Sequence, residues 1–168
     1  MNEDEKFYWE MDQKLTMKAL SERPDLPESF IRQHADELDW HYVIKNSKLS
    51  DDFIREHIGF IDLRDLITFG KATENLIRSF IFDCVFDWYL ISKHVRLSEE
   101  FIREFADKVD WDTISFYQFL SEELIHDFAD RVDWKWILKL QLLSKKFVDD
   151  HWDYYKYEMV MPPLQSSK

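Results

Sequence analysis

Leu97–Phe119 reads LSEEFIREFADKVDWDTISFYQF, and Leu120–Leu142, directly after it, reads LSEELIHDFADRVDWKWILKLQL. The two strings are one unit written twice. Self-similarity at a fixed period marks a repeat architecture, in which a small supersecondary unit buries its apolar face against the next copy. Leu26–Lys48 (LPESFIRQHADELDWHYVIKNSK) is the same unit, and Leu49–Lys71 (LSDDFIREHIGFIDLRDLITFGK) has drifted further. Repeats begin at Leu26, Leu49, Ala72, Leu97, Leu120 and Leu143, at spacings of 23, 23, 25, 23 and 23 residues. The third carries two extra residues before Asp87, and the sixth loses the pattern after its first helix.

Each repeat contains two helix starts. Ser50, Thr73, Ser98, Ser121 and Ser144 stand where an N-cap belongs, and their hydroxyls can accept from the first free backbone N–H groups. Acidic residues follow at once (Asp51 and Asp52, Glu99 and Glu100, Glu122 and Glu123), where the helix dipole favours them. Phe101, Phe105 and Val109, with Ile102 and Ala106, then mark a helical stripe. A second start follows at Asp39, Asp62, Asp87, Asp110 and Asp133. Each Asp can cap a short helix with Trp40, Leu63, Trp88, Trp111 or Trp134 just inside. Val43, Leu66, Ile91, Ile114 and Ile137 come three residues later on the same face. The pattern predicts an all-α, α-solenoid-like array of two-helix repeats forming one domain. Residues 1–25 read as an N-terminal capping helix (Glu5–Glu22, ended by Pro24), residues 26–159 as six repeats, and residues 160–168 as a tail after Pro162 and Pro163.

Composition agrees and excludes alternatives. The 168 residues include 2 Gly and 4 Pro, too few for the turns of an all-β barrel or sandwich. Gly59 and Gly70 alone cannot build a Gly-rich phosphate loop. Lys+Arg 22 against Asp+Glu 34 gives a net charge of −12, which opposes bulk electrostatic binding to a nucleic-acid backbone. The single Cys84 excludes an intramolecular disulfide framework and suits a reducing compartment. The acidic N-terminus lacks a signal-peptide core, and Arg78, Asp83 and Asp87 interrupt the apolar stretch Ile77–Ile91. A cytoplasmic protein with no membrane span is expected.

The string L-S-E-E-F-I-R-E-F-A-D-K-V-D-W resembles tandem helical repeats in proteins of phages and large DNA viruses. The similarity runs from Leu26 to about Trp152 and is tightest over Leu97–Leu142. Leu63 at the Trp position and the insertion before Asp87 depart from it. The resemblance implies a helical repeat scaffold, virus- or phage-encoded or acquired, and carries over no catalytic residues.

The candidate chemistry has structural counterparts. His34, His57 and His151 share one repeat position with Phe80, Phe105 and Phe128, which reads as packing rather than metal binding. His41, His94 and His126 fall at other positions, and no HExxH occurs. The carboxylates recur as caps and first-turn acids, so repetition gives them like environments where an acid–base pair needs unlike ones. Cys84 sits in FIFDCVFDW, an apolar context for an inert thiol. Arg32, Arg55, Arg78 and Arg103 share a position and would stack into a row. They form either a ridge for carboxylates or phosphates, or intramolecular pairs, with Asp36 and Asp107 at i+4 from Arg32 and Arg103. The insertion around Phe82, Asp83 and Phe86 reads either as a loop on a binding face or as filler of a bend. Tyr42, Tyr89, Tyr117 and Trp136, at non-repeating positions, serve as anchors or core.

The functional expectation is a non-enzymatic protein that binds another protein, with no cofactor or metal. Its concrete form is a phage or virus accessory protein that inhibits a host or defence nucleic-acid-binding factor through acidic patches. The candidate contacts are Phe82, Asp83, Phe86, Tyr89, Glu99, Glu100, Asp107, Asp112 and Tyr117. The partner expected is a basic nucleic-acid-binding protein, with no direct nucleic-acid or membrane contact. The alternatives are an acidic nucleic-acid mimic and a metal-dependent hydrolase with clustered carboxylates.

Overall fold

The Ser and Asp starts each open a helix. A computed structural model describes residues 16–81, 85–154 and 156. Among the described residues there are twelve α-helices with defined bounds, further helical backbone at 152–154, one 3-10 turn (Ile58–Phe60) and no strand. In chain order the helices are α1 (Met17–Ser21), α2 (Glu28–Gln33), α3 (Trp40–Asn46), α4 (Asp51–Glu56), α5 (Leu63–Thr68), α6 (Glu74–Phe80), α7 (Trp88–His94), α8 (Glu99–Glu104), α9 (Trp111–Tyr117), α10 (Glu122–Asp127), α11 (Trp134–Leu140) and α12 (Lys145–Asp150). Helices of one to two turns do not hold in water on their own. Here capping and packing between repeats hold them.

The caps are as the sequence predicts. Ser50, Thr73, Ser98, Ser121 and Ser144 each accept from the backbone N–H three residues on, at 3.1–3.2 Å. Pro27 stands at that position before α2 and supplies no side-chain bond. Asp39, Asp62, Asp110 and Asp133 cap the second helices, and Asp87 accepts from Leu90 N–H. A further bond joins successive repeats. The first-turn acid of one reaches the cap of the next: Glu28 accepts from Ser50 N–H, Asp51 from the Thr73 hydroxyl, Glu99 from both groups of Ser121, and Glu122 from both groups of Ser144. The acids that answer the dipole of their own helix therefore also fix its neighbour.

Two layers supply the core. First helices bury an adjacent pair in each of the first five repeats, Phe30 and Ile31, Phe53 and Ile54, Leu76 and Ile77, Phe101 and Ile102, Leu124 and Ile125, and Phe147 alone in the sixth. Second helices bury Val43, Leu66, Ile91, Ile114 and Ile137 and stack on one another, α1 on α3 and α3 on α5, then α9 on α11. Each such side chain contributes about 1.5–3 kcal/mol when fully buried. The Trp of the second helix closes the repeat: Trp40, Trp111 and Trp134 donate their indole N–H to Ala35, Ala106 and Ala129 carbonyls at 2.8–2.9 Å.

The helical stripe is shorter than its periodicity suggests. α8 ends at Glu104, and Lys108 N–H and Val109 N–H both turn back to the Phe105 carbonyl. Val109 is buried from this turn and not from a third helical turn. The reason is the cap at Asp110, whose extended backbone must be reached before α9 can start. Only the end of the expected Glu5–Glu22 helix falls within the described residues, and there Thr16, in extended backbone, caps a helix over Met17–Ser21, α1. Thr16 stands 23 residues before Asp39. Ser21, five residues after it, accepts from Asp39 N–H as Ser92 and Ser115 accept from Asp110 and Asp133. α1 thus occupies the place of a second helix, in register with those of the repeats that follow. Residues 160–168 lie outside the described residues.

The chain forms two compact bodies, one up to Leu90 and one from Ile91. In the C-terminal body, Gln118 and Gln141 add a buried ladder. Gln118 donates to the carbonyls of Ser92 and Val95 and accepts from Leu97 N–H, and Gln141 repeats the move on Gln118 O and Leu120 N–H.

Candidate interaction surface

In the C-terminal body, the outer side of α9 and α11 and the residues that follow them are apolar where a repeat-protein surface is ordinarily polar. Phe119 is 89 % exposed and Leu142 101 %. Phe116, Tyr117 and Leu140, on the last turns of the two helices, are exposed as well. Phe116 meets the Trp136 ring edge-on at 4.5 Å and Tyr117 at 4.6 Å. Scattered exposed apolar residues are ordinary, but a touching aromatic cluster with several exposed apolar residues in the same two repeats marks a candidate interaction site.

Lysines surround these rings. Lys135 and Lys139 hold their ammonium groups 5.1 and 5.4 Å from the centre of the Trp136 ring, and Lys93 lies 5.7 Å from that of Tyr117. Cations at this range are attracted by the ring quadrupole. α9, α11 and the Ile91–Arg96 segment carry the cations Lys93, Arg96, Lys135 and Lys139 against one carboxylate, Asp112. The capping Asp110 and Asp133 sit at the opposite helix ends and are bonded there. Acid gathers instead on the first helices, as in Glu99, Glu100, Glu122 and Glu123.

Several expected contacts are already engaged. Glu99 holds Ser121, and Asp107 lies 2.8 Å from Arg131. Glu100, Asp112, Tyr89 and Tyr117 are exposed, and Phe86 is half-buried. Phe82, Asp83 and Cys84 lie outside the described residues. Of the candidate anchors, Tyr117 and Trp136 belong to the face described above, whereas Tyr42 is half-buried in the N-terminal body.

The Arg row is paired, but not as the i+4 reading has it. Arg32 bonds Glu56 at 2.8 Å and Arg103 bonds Asp127 at 2.5 Å, each 24 residues on in the next repeat, rather than Asp36 and Asp107. First helices end at Gln33 and Glu104, so Asp36 and Asp107 lie beyond the helix and the i+4 geometry is lost. Arg55 takes Asp52 and the Ser79 hydroxyl, and Arg78 takes Glu74. The bond from Arg32 holds the Glu56 carboxyl below its ordinary range, and Glu56 in turn raises the Arg32 guanidinium.

The shared His position is a packing position. His34, His57 and His151 are buried and lie against Phe30, Phe53 and Phe147, four residues earlier. One contact escaped the sequence. His126, standing where other repeats have Arg, reaches His151, Nδ1 to Nε2 at 3.0 Å. His151 Nδ1 lies 2.9 Å from the Phe147 carbonyl. It carries the proton there, which leaves Nε2 to accept from His126. These histidines line a cleft of about 350 Å³ with Glu122, Glu123, Lys146 and Asp150. Ser144, at its edge, spends its hydroxyl on Glu122 and Phe147 N–H, away from either imidazole. Among the described residues no group of three or more His, Cys, Asp or Glu is placed to hold a metal ion.

The exposed face had a sequence signal. The closing residue of each repeat is Lys48, Lys71 and Arg96 in the first three, then Phe119 and Leu142. That change of chemistry at a fixed position marks the fourth and fifth repeats. The chain is an all-α helical-repeat protein. Comparison with protein-family models, curated proteins and solved structures finds no match. No helix among the described residues is long and apolar enough to cross a membrane.

Proposed function

We propose that this chain is a non-enzymatic helical-repeat protein that binds another protein through the face of α9 and α11. The exposure of Phe119 and Leu142, in the same two repeats as the Phe116–Trp136 pair, carries this reading. Binding energy concentrates in aromatic and apolar anchors at the centre of an interface, and this face offers several within two repeats. The resemblance of the repeat to those of phage and large-DNA-virus proteins gives the reading its concrete form: an accessory protein acting on a host or defence factor in the cytoplasm.

The test is quantitative co-purification with the full chain and with F119S/L142S from cells that express it. A protein recovered by the parent chain and lost from the folded double variant supports the reading. Identical recovery by both overturns it.

A second reading keeps the acidic patches as the contact for a basic nucleic-acid-binding protein, or as a nucleic-acid mimic. The exposed Glu100 and Asp112 favour it, while Glu99 and Asp107 are committed to Ser121 and Arg131. It predicts partner loss with E100Q/D112N rather than with F119S/L142S.

A further inference from the structure

The α9–α11 face also specifies the chemistry of what it binds, given that it is a protein-binding face at all. We propose that its partner is an acidic peptide segment carrying aromatic or leucine anchors. Charge complementarity supports this. The chain as a whole has a net charge of −12, yet Lys93 borders the exposed Tyr117 ring, Lys135 and Lys139 border the half-buried Trp136 ring, and Asp112 is the one acid on these helices. Among the described residues, Lys135 and Lys139 lie against Trp136 and form no ion pair with a carboxylate. Their charge is held over an apolar surface, where exclusion of water on docking strengthens the attraction to a partner carboxylate. The apolar part takes the anchors. Phe119 and Leu142 project fully, one repeat apart, with Tyr117 and Leu140 beside them.

The same details disfavour a nucleic-acid strand. Bases bind by stacking on open aromatic faces. The Trp136 ring is approached by two ammonium groups and by the edge of Phe116, while Leu140 and Leu142 offer no ring to stack on. Like charge elsewhere on the chain also opposes a long polyanion, whereas a short acidic segment needs only the local cations.

The experiment is selection of short random displayed peptides on the immobilised full chain. Affinities of synthetic copies of the enriched peptides are then measured by calorimetry. Enriched peptides are expected to be net negative with at least one Phe, Trp or Leu. Their affinity should fall about tenfold in K135E/K139E and less in K135Q/K139Q, both checked for native circular dichroism. Neutral or basic peptides that still need Phe119 and Leu142 would overturn the charge assignment and leave the protein-binding reading intact. Peptides recovered equally on F119S/L142S would overturn both. Two further results would overturn the proposal. One is equal or tighter binding of an oligothymidylate strand, lost in K135E/K139E. The other is a concentration-dependent dimer in sedimentation that F119S/L142S dissolves, which would give the face to a second copy.

Discussion

Glu99 accepts two hydrogen bonds from Ser121, the cap of the next repeat: from its N–H at 2.8 Å and from its hydroxyl at 2.9 Å. α10 is thereby held at its start by the repeat before it, as α12 is by Glu122. A double-mutant cycle of Glu99→Ala and Ser121→Ala should give a coupling of about 0.5–1 kcal/mol by urea unfolding, as expected for a partly exposed hydrogen bond from a hydroxyl to a carboxylate. Additive losses would show that the caps act one repeat at a time.

Gln118 is the buried crosslink of the C-terminal body. Replacing it with Ala leaves Leu97 N–H and the Ser92 and Val95 carbonyls without their partner. Unsatisfied buried groups are costly, so Q118A should lose about 3 kcal/mol in chemical denaturation. A loss below about 1 kcal/mol would mean that this ladder is not a significant source of stability.

Trp111 combines a packed ring with one directed bond to the Ala106 carbonyl. Trp111→Phe keeps most of the ring and removes the bond, for an expected loss of about 1 kcal/mol. Trp111→Ala also removes the packing of this half-buried ring and should cost about 2–3 kcal/mol. Thermal unfolding of the pair separates the two contributions.

Glu56 titrates below its ordinary range because it accepts from Arg32. A carboxyl depressed in the folded state stabilises the fold above its unfolded value. That contribution disappears as pH falls through the folded value. Carbon-detected NMR titration should show the Glu56 midpoint moving up in R32M. An unmoved midpoint would sever the link between these two repeats.

Much of the fold was legible because its determinants are local. Ser, Thr and Asp caps, the first-turn acids and the Trp after each Asp depend on neighbours within a few residues, and each recurs often enough to be read against its copies. The extent of the first helices was not legible. Phe105 and Val109 keep helical spacing while the backbone turns between them, and periodicity alone cannot separate the two. The Arg row misled for a similar reason. An i+4 partner is visible in sequence, whereas Glu56 and Asp127, 24 residues away, become neighbours only when repeats stack. His126 and His151 meet the same way. The exposed face was partly legible: Tyr117 and Trp136 stood out as non-repeating aromatics, but Phe119 and Leu142 look like core until the end of the second helix is placed.

The central claim is that the α9–α11 face is for contact and not for folding. The most direct measurement is site-specific photo-crosslinking in cells, with a benzoyl-phenylalanine at position 119, at position 142, or at position 48, the equivalent closing residue of the first repeat. Positions 119 and 142 should each give the same discrete crosslinked protein and position 48 none, with thermal stability within about 0.5 kcal/mol of the parent for all three. Crosslinking that is the same from all three positions, or a marked loss of stability at 119 or 142, would contradict the claim.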